Sequence, residues 1–155
     1  MEKLRIGIIG CGGIANGKHM PALSRLNDVE MVAFCDIVEE RAKKAALQFG
    51  TPGAEVFTDY EEMLKMDLDV VHVLTPNKSH SPITVAALEA GKHVMCEKPM
   101  AINTEEAVKM VEAAKRTGKK LTIGYQNRFR PDSMYLKKCI EAGDLGDIYY
   151  ARALA

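Results

Sequence analysis

A chain of 155 residues, 47% of them apolar, can bury a sizeable core within one domain, and that composition excludes disorder. Its 21 Lys and Arg balance 21 Asp and Glu, so there is no basic excess for nucleic acid and no acidic tail. No apolar run approaches the ~20 residues of a membrane span, and the first residues lead into a strand without a signal-peptide pattern.

Cys11, Cys35, Cys96 and Cys139 lack CxxC spacing and lie mostly in apolar surroundings. They read as reduced thiols of a cytoplasmic protein, not as a zinc site or a disulfide framework, and no metal site is expected.

Strand-like and helix-like runs alternate along nearly the whole length, the pattern of parallel strands joined by right-handed crossovers. Leu4–Ile9 is a short apolar run of the kind that forms a buried parallel strand. It enters Gly10-Cys11-Gly12-Gly13-Ile14-Ala15, which fits G-x-G-x-x-A. Gly10 permits a tight turn, Gly12 has no Cβ to bar an approaching pyrophosphate, and Ala15 lets helix and strand pack closely. The helix start offers N–H groups and a dipole to an anion. The glycines alone are equally consistent with a strand-to-helix turn that holds no ligand. Pro21 disfavours helical geometry at Met20, so a short turn from Gly13 and a second segment through Leu26 are expected. His19, at that break, could face the cofactor, but a solvated or packing histidine is the favoured reading.

Val29–Cys35 is the second strand, ending at Asp36, about 20 residues beyond Ala15. A carboxylate there can accept both hydroxyls of an adenine ribose and repel a 2′-phosphate, and no basic residue follows before Arg41. The reading is NAD, with NADP less favoured. Asp36 also fits an N-cap for a helix from Val38 to Phe49, whose Ala42, Ala45, Ala46 and Phe49 form one stripe closed by Gly50. After the turn Thr51-Pro52-Gly53 come a short strand Ala54–Phe57, a small helix through Lys65 capped by Thr58 or Asp59, and a fourth strand Asp69–Leu74. His72, inside that strand, reads as a satisfied core histidine.

Thr75-Pro76-Asn77 leaves the carboxyl end of the fourth strand, the side on which open α/β sheets bind ligands, beside the glycine turn. Ser81 and Pro82 fit the cap and first residue of a helix ending at Gly91, and His80 is open between a ligand-side contact and a surface position. Lys92–Cys96 is the fifth strand, and Glu97-Lys98-Pro99 follows it. A charged pair there is costly unless paired or functional, and a solvated turn competes with the functional reading. In the functional reading Lys98 and Glu97 are the catalytic pair. Lys98 sits at the nicotinamide end, its pKa tuned by Glu97, and bonds a substrate hydroxyl and moves its proton. The Lys98–Pro99 bond is a candidate for the cis form. Asn103 or Thr104 caps a helix that stops before Gly118, and Lys119–Gly124 is the sixth strand. Tyr125-Gln126-Asn127-Arg128-Phe129 adds another polar loop to the same rim. A helix over Asp132–Ala142, a turn over Gly143–Gly146 and a strand over Ile148–Leu154 follow.

Together these features resemble the Gfo/Idh/MocA oxidoreductases. The resemblance rests on Gly10-Cys11-Gly12-Gly13-Ile14-Ala15, Cys35-Asp36, Thr75-Pro76-Asn77 with His80, Gly91-Lys92-His93-Val94, Glu97-Lys98-Pro99 and Gly124-Tyr125-Gln126-Asn127-Arg128-Phe129. It covers essentially the whole chain. It implies an α/β, Rossmann-type doubly wound parallel sheet, strand order 3-2-1-4-5-6, with helices on both faces. It further implies a nicotinamide-dependent oxidoreductase acting on a sugar, polyol or related hydroxyl compound. Gly10, Gly12, Gly13, Ile14 and Ala15 would hold the pyrophosphate and Asp36 the adenine ribose. Thr75, Pro76, Asn77 and His80 would line the dinucleotide site. Glu97 and Lys98 would lie near the nicotinamide ribose and the substrate, and Arg128 near the nicotinamide end.

Members of that family carry a second α/β domain that supplies most substrate contacts, an Asp and His pair, and commonly the oligomer interface. Residues 1–146 are read as the nucleotide domain and 147–155 as the start of a truncated second domain. The expectation is a chain that binds NAD with little or no turnover. Its last strand is expected to be frayed or paired with another copy, which makes a homo-oligomer one outcome. Two other readings stay open, a non-catalytic NAD-sensing module and an NAD-dependent glycosidase. Neither nucleic acid nor membrane is an expected partner.

Overall fold

The computed structural model describes residues 3–152. The chain divides into two compact units, Met1–Gly124 and Tyr125–Ala155.

The first unit is built on six parallel strands: β1 (Leu4–Ile9), β2 (Val29–Cys35), β3 (Glu55–Phe57), β4 (Val70–Val73), β5 (His93–Cys96) and β6 (Leu121–Ile123). Their order across the sheet is 3-2-1-4-5-6, as the resemblance implies. The order reverses between β1 and β4, so the loops leaving these two strands lie side by side at the carboxyl edge. The helices of this unit are α1 (Met20–Leu23), α2 (Glu39–Phe49), α3 (Tyr60–Met63), α4 (His80–Glu89) and α5 (Thr104–Thr117).

Two apolar clusters form the core. Alternate residues of β1 divide between them: Ile6 and Ile8 join Met20, Leu23, Phe34 and Ala45, whereas Ile9 joins Val73, Leu88, Val94 and Met110. Helices α1 and α2 thus cover one face, and α4 and α5 the other. In β2 the register slips once: Ile6 faces Met31, but Gly7 faces Ala33. The extra residue, Val32, puts Met31 and Phe34 in one cluster and Ala33 and Cys35 in the other. The caps follow side-chain chemistry. Asp59 accepts the Glu61 N–H, and Asn103 accepts the Glu106 N–H.

The expected break at Pro21 does not occur. Residues 13–23 are helical throughout, and Ala15–His19 form a π turn. Met20 keeps helical angles (φ −62°, ψ −43°), and its N–H reaches back to the Ala15 carbonyl. Widening the turn just ahead of the proline moves the preceding carbonyls away from its ring. Nor does Ser81 cap α4. The helix begins at His80 after a 3₁₀ turn (Asn77–Ser79), and buried Ser81 donates its hydroxyl to the Glu106 carbonyl at 3.2 Å, tying α4 to α5.

The second unit contains a 3₁₀ turn (Gln126–Phe129) and α6 (Pro131–Ala142), which stops at Gly143 with φ +79°. The strand expected over Ile148–Leu154 is not formed in residues 148–152, and Ala153 and Leu154 lie outside the described residues. Extended chain becomes a strand only where a neighbour completes its hydrogen-bond ladder, and Tyr149 and Tyr150 are 99% and 74% exposed. Among the described residues no helix is long and apolar enough to cross a membrane.

Candidate functional site

The carboxyl edge of the sheet presents two acidic centres, one at the end of β2 and one at the end of β5. Near the first, Gly10 turns out of β1 at φ +93°. A Cβ there would fall 2.8 Å from the Leu74 carbonyl group and 2.9 Å from the Thr75 nitrogen, so the two loops press together in a way only glycine allows. At Gly12 and Gly13 a Cβ would meet nothing within 4 Å, so the space above them is open. Asp36 is 8% exposed. Its Oδ2 accepts the Cys11 N–H at 2.9 Å, and its Oδ1 accepts the Val38 N–H at 2.9 Å. Each oxygen retains a lone pair for a further donor. Arg41 Nη1 stands 3.9 Å from Oδ1. Burial, then the charge of Asp36, pushes the Cys11 thiol up to about 12. Burial, then Asp59, does the same for Cys35. Both sulfurs are therefore uncharged. A cavity of about 480 Å³ joins Gly10, Gly12, Gly13 and Ile14 to Asp36 and Ile37 on one side, and to Thr75 and Pro76 on the other. An adjoining polar hollow of about 490 Å³ shares Gly12, Gly13 and Arg41 and adds Asn16, Lys44 and Gln48.

At the end of β5, Glu97 is 9% exposed. Its Oε1 lies 2.8 Å from His19 Nε2, and its Oε2 accepts the Lys98 backbone N–H at 2.8 Å. What Glu97 holds of Lys98 is thus the backbone, and the Lys98 side chain is exposed. Gly124 closes over the carboxylate, since a Cβ there would sit 3.3 Å from Oε1. The Lys98–Pro99 bond is cis. His80, 1% exposed, has Nδ1 2.7 Å from the Pro99 carbonyl oxygen and Nε2 2.9 Å from that of Thr75. Both contacts are hydrogen bonds only when the ring carries both protons. His80 thereby ties the Thr75 loop to the lysine turn, with no ring nitrogen left for a ligand. His72 is buried as expected but not satisfied, because its Nδ1 has no partner. Its ring meets that of His19 edge-on, with centroids 5.7 Å apart at 81°. Burial, then the neighbouring His19, pushes His72 down to about 4.

Comparison with known proteins places the chain in a family. The family described as "Oxidoreductase family, NAD-binding Rossmann fold" matches residues 4–125. The chain belongs to the Gfo/Idh/MocA oxidoreductase family. It is 40% identical over 153 residues to D-glucoside 3-dehydrogenase of Escherichia coli, covering 98% of this chain and 43% of that one. The WlbA dehydrogenase from Bordetella pertussis, solved in complex with NADH and UDP-GlcNAcA, matches at TM-score 0.89 and 33% identity, over 96% of this chain and 42% of that one. A 3-ketoreductase from Actinomadura kijaniata, solved in complex with NADP, matches at TM-score 0.84 and 30% identity, over 95% and 46%. The chain therefore spans less than half the length of these relatives, and its matched residues form the family's NAD-binding Rossmann fold.

Within this Gfo/Idh/MocA chain, Gly10, Gly12, Gly13, Ile14, Asp36, Thr75 and Pro76 line one cavity. Ala15 is fully buried in the core beside β1. Asn77 is exposed at the head of the 3₁₀ turn, while Glu97 and Lys98 lie at the end of β5. Arg128 belongs to the second unit, on its 3₁₀ turn. Two residues lining these cavities carry no signal in the sequence. Ile37, 90% exposed beside Asp36, has no periodicity to mark it. Lys44, in the polar hollow, lies in a charged helix run that does not set it apart. His19 stood out at the break expected from Pro21, but its bond to Glu97 had no signal in the sequence.

Proposed function

We propose that the chain is the dinucleotide-binding part of an NAD-dependent sugar or polyol dehydrogenase. The observation that carries this reading is the open space over Gly12 and Gly13, in one cavity with the buried carboxylate of Asp36. The helix-start N–H groups at Gly13 and Ile14 bind the pyrophosphate, and Ala15 keeps that helix close to β1. Gly10 gives the turn its shape. Asp36 uses its remaining lone pairs on the two ribose hydroxyls, and exposed Ile37 offers the adenine an apolar platform. Thr75, Pro76 and Asn77 form the facing wall, and His80 supports it through the Thr75 carbonyl. Lys98, on the turn fixed by Glu97, hydrogen-bonds the substrate hydroxyl and takes or returns its proton. When bound, the nicotinamide supplies or accepts the hydride.

The sugar-type substrate is inferred from the glucoside dehydrogenase and from the nucleotide sugar in the Bordetella complex. Residues 1–146 are read as the nucleotide domain and 147–155 as the start of a substrate domain. By this reading the chain alone binds NAD and turns over little substrate. The buried thiols fit a cytoplasmic setting.

Titration calorimetry with NADH and NADPH tests the proposal. Binding of NADH, with NADPH weaker by about tenfold or more, is expected from the Asp36 charge. No heat with either at millimolar ligand sinks it. A second reading, NADP, is favoured by Arg41 at 3.9 Å from Asp36, with Lys44 in the same hollow. Tighter binding of NADPH than of NADH would select it.

A further inference from the structure

The two carboxylates at the rim are satisfied by different means. Asp36 takes both its hydrogen bonds from backbone N–H groups. Glu97 takes one from the backbone of Lys98 and the other from the side chain of His19. His19 does not belong to the β5 end. It is the last residue of the π turn that follows the glycine turn. A π turn inserts a residue and re-aims the side chains around it, and such turns concentrate at functional sites. Here it points the imidazole across to Glu97, 78 positions away in sequence. Both side chains are 12% exposed, so little water competes for the bond. The ring of His72 stands edge-on behind His19 and limits where it can turn.

We propose that His19 is a positioning residue for Lys98. It holds the Glu97 carboxylate, whose second oxygen holds the Lys98 backbone, so the helix after the glycine turn sets where the lysine turn sits. Without the imidazole donor, the carboxylate can rotate and the exposed lysine loses its fixed starting point. The inference rests on the reading of this rim as a dinucleotide site. It adds that His19 governs the nicotinamide end alone, because nothing in the chain Asp36, Cys11 N–H and Val38 N–H depends on it.

The test compares ADP-ribose, which lacks nicotinamide, with NADH, by calorimetry on the wild-type chain and on His19→Phe and His19→Gln. Phenylalanine keeps a ring and removes the donor, and glutamine restores an N–H. ADP-ribose affinity is expected to stay within about twofold throughout. NADH is expected to weaken about tenfold in His19→Phe and to recover most of that in His19→Gln, the weight of one hydrogen bond to a charged group. Unchanged NADH affinity in His19→Phe overturns the inference, and so does an equal loss of both ligands, which marks a core role only. A wild-type chain that binds neither ligand overturns the cofactor reading, and the inference falls with it. Carbon-13 reductive methylation gives a readout without ligand. The Lys98 dimethylamine resonance, assigned with Lys98→Arg, is expected to move in His19→Phe while the other lysine resonances stay. A Lys98 resonance that does not move also overturns the inference. If His19→Phe does not fold, Glu97→Gln replaces it, with the same selective loss of NADH expected and equal or absent loss counting against.

Discussion

Asp36 and Glu97 occupy equivalent positions, each one residue past a buried parallel strand and each less than a tenth exposed. Their surroundings differ in kind. Asp36 is held by amides of Cys11 and Val38, whose positions follow from the β1 turn and the start of α2. Backbone amides cannot swing away. Glu97 is held on one side by an imidazole on a side chain, which can. Such a design leaves the β2 end as a fixed anchor and makes the β5 end adjustable. It suits a site where the proposed adenosine binding needs one geometry and the proposed proton transfer needs a lysine whose position can be set.

The strongest challenge to this contrast is acid. His72 titrates at about 4 in the native chain against about 6.5 for a free imidazole. Between those values the unfolded chain binds a proton that the native chain does not. The stabilisation is therefore complete above about pH 6.5 and is lost as pH falls towards 4. The shift corresponds to a loss on the order of 3 kcal/mol across the window. Urea denaturation at pH 7 and pH 4.5 is expected to show that loss in the wild type and a much smaller one in His72→Leu. Equal acid losses in both would mean that the β5 end is no more sensitive than the rest.

Next in size is the loss of each carboxylate. Asp36→Ala strands the buried Cys11 N–H and is expected to cost about 2 kcal/mol in urea denaturation. Glu97→Ala leaves an imidazole that can re-aim, and about 1 kcal/mol is expected. Similar losses for the two would remove the distinction between fixed and adjustable ends.

A smaller effect, invisible to stability, separates the binding surface from the fold beneath it. Gly12→Ala adds a methyl group where nothing lies within 4 Å, so the urea midpoint should not move. NADH affinity is expected to fall about tenfold, because the methyl group stands where the pyrophosphate must approach. Unaltered NADH binding would show that the pyrophosphate lies elsewhere.

The sheet was legible in the sequence because its strands are short aliphatic runs between glycine and proline punctuation. Leu4–Ile9 and Val29–Cys35 coincide with the strands observed, and the order 3-2-1-4-5-6 follows from the family resemblance. Gly10, Gly12 and Asp36 were legible because each answers a local steric or electrostatic demand. What was not legible depends on contacts distant in sequence. Nothing near Ser81 reveals that its hydroxyl reaches Glu106. Nothing near His19 reveals Glu97, and the proline that widens the intervening turn reads locally as a helix breaker. The strand expected over residues 148–154 had the right composition, but composition does not provide a neighbour.

The smallest expected effect compares the two ends by their thiols. Cys11 and Cys35 flank the Asp36 carboxylate, and Cys96 immediately precedes Glu97, all three buried. Burial pushes Cys96 up to about 11 and the other two to about 12, so none is an appreciable thiolate at pH 8 in the closed chain. Labelling must then await local opening, and its rate relative to the unfolded chain measures how readily each end opens. Half-buried Cys139 is expected to react first with a disulfide reagent. Cys96 should follow, because freeing it means parting β5 only from the three-residue edge strand β6, where the Gly124 N–H donates to the Cys96 carbonyl at 2.8 Å. Cys11 and Cys35 should be slowest, since freeing them means parting β1 from β2, where the Gly10 N–H donates to the Cys35 carbonyl at 2.8 Å. Mass spectrometry of a labelling time course resolves the order. Cys96 labelled no faster than Cys11 and Cys35 would show that the β5 end opens no more readily than the β2 end.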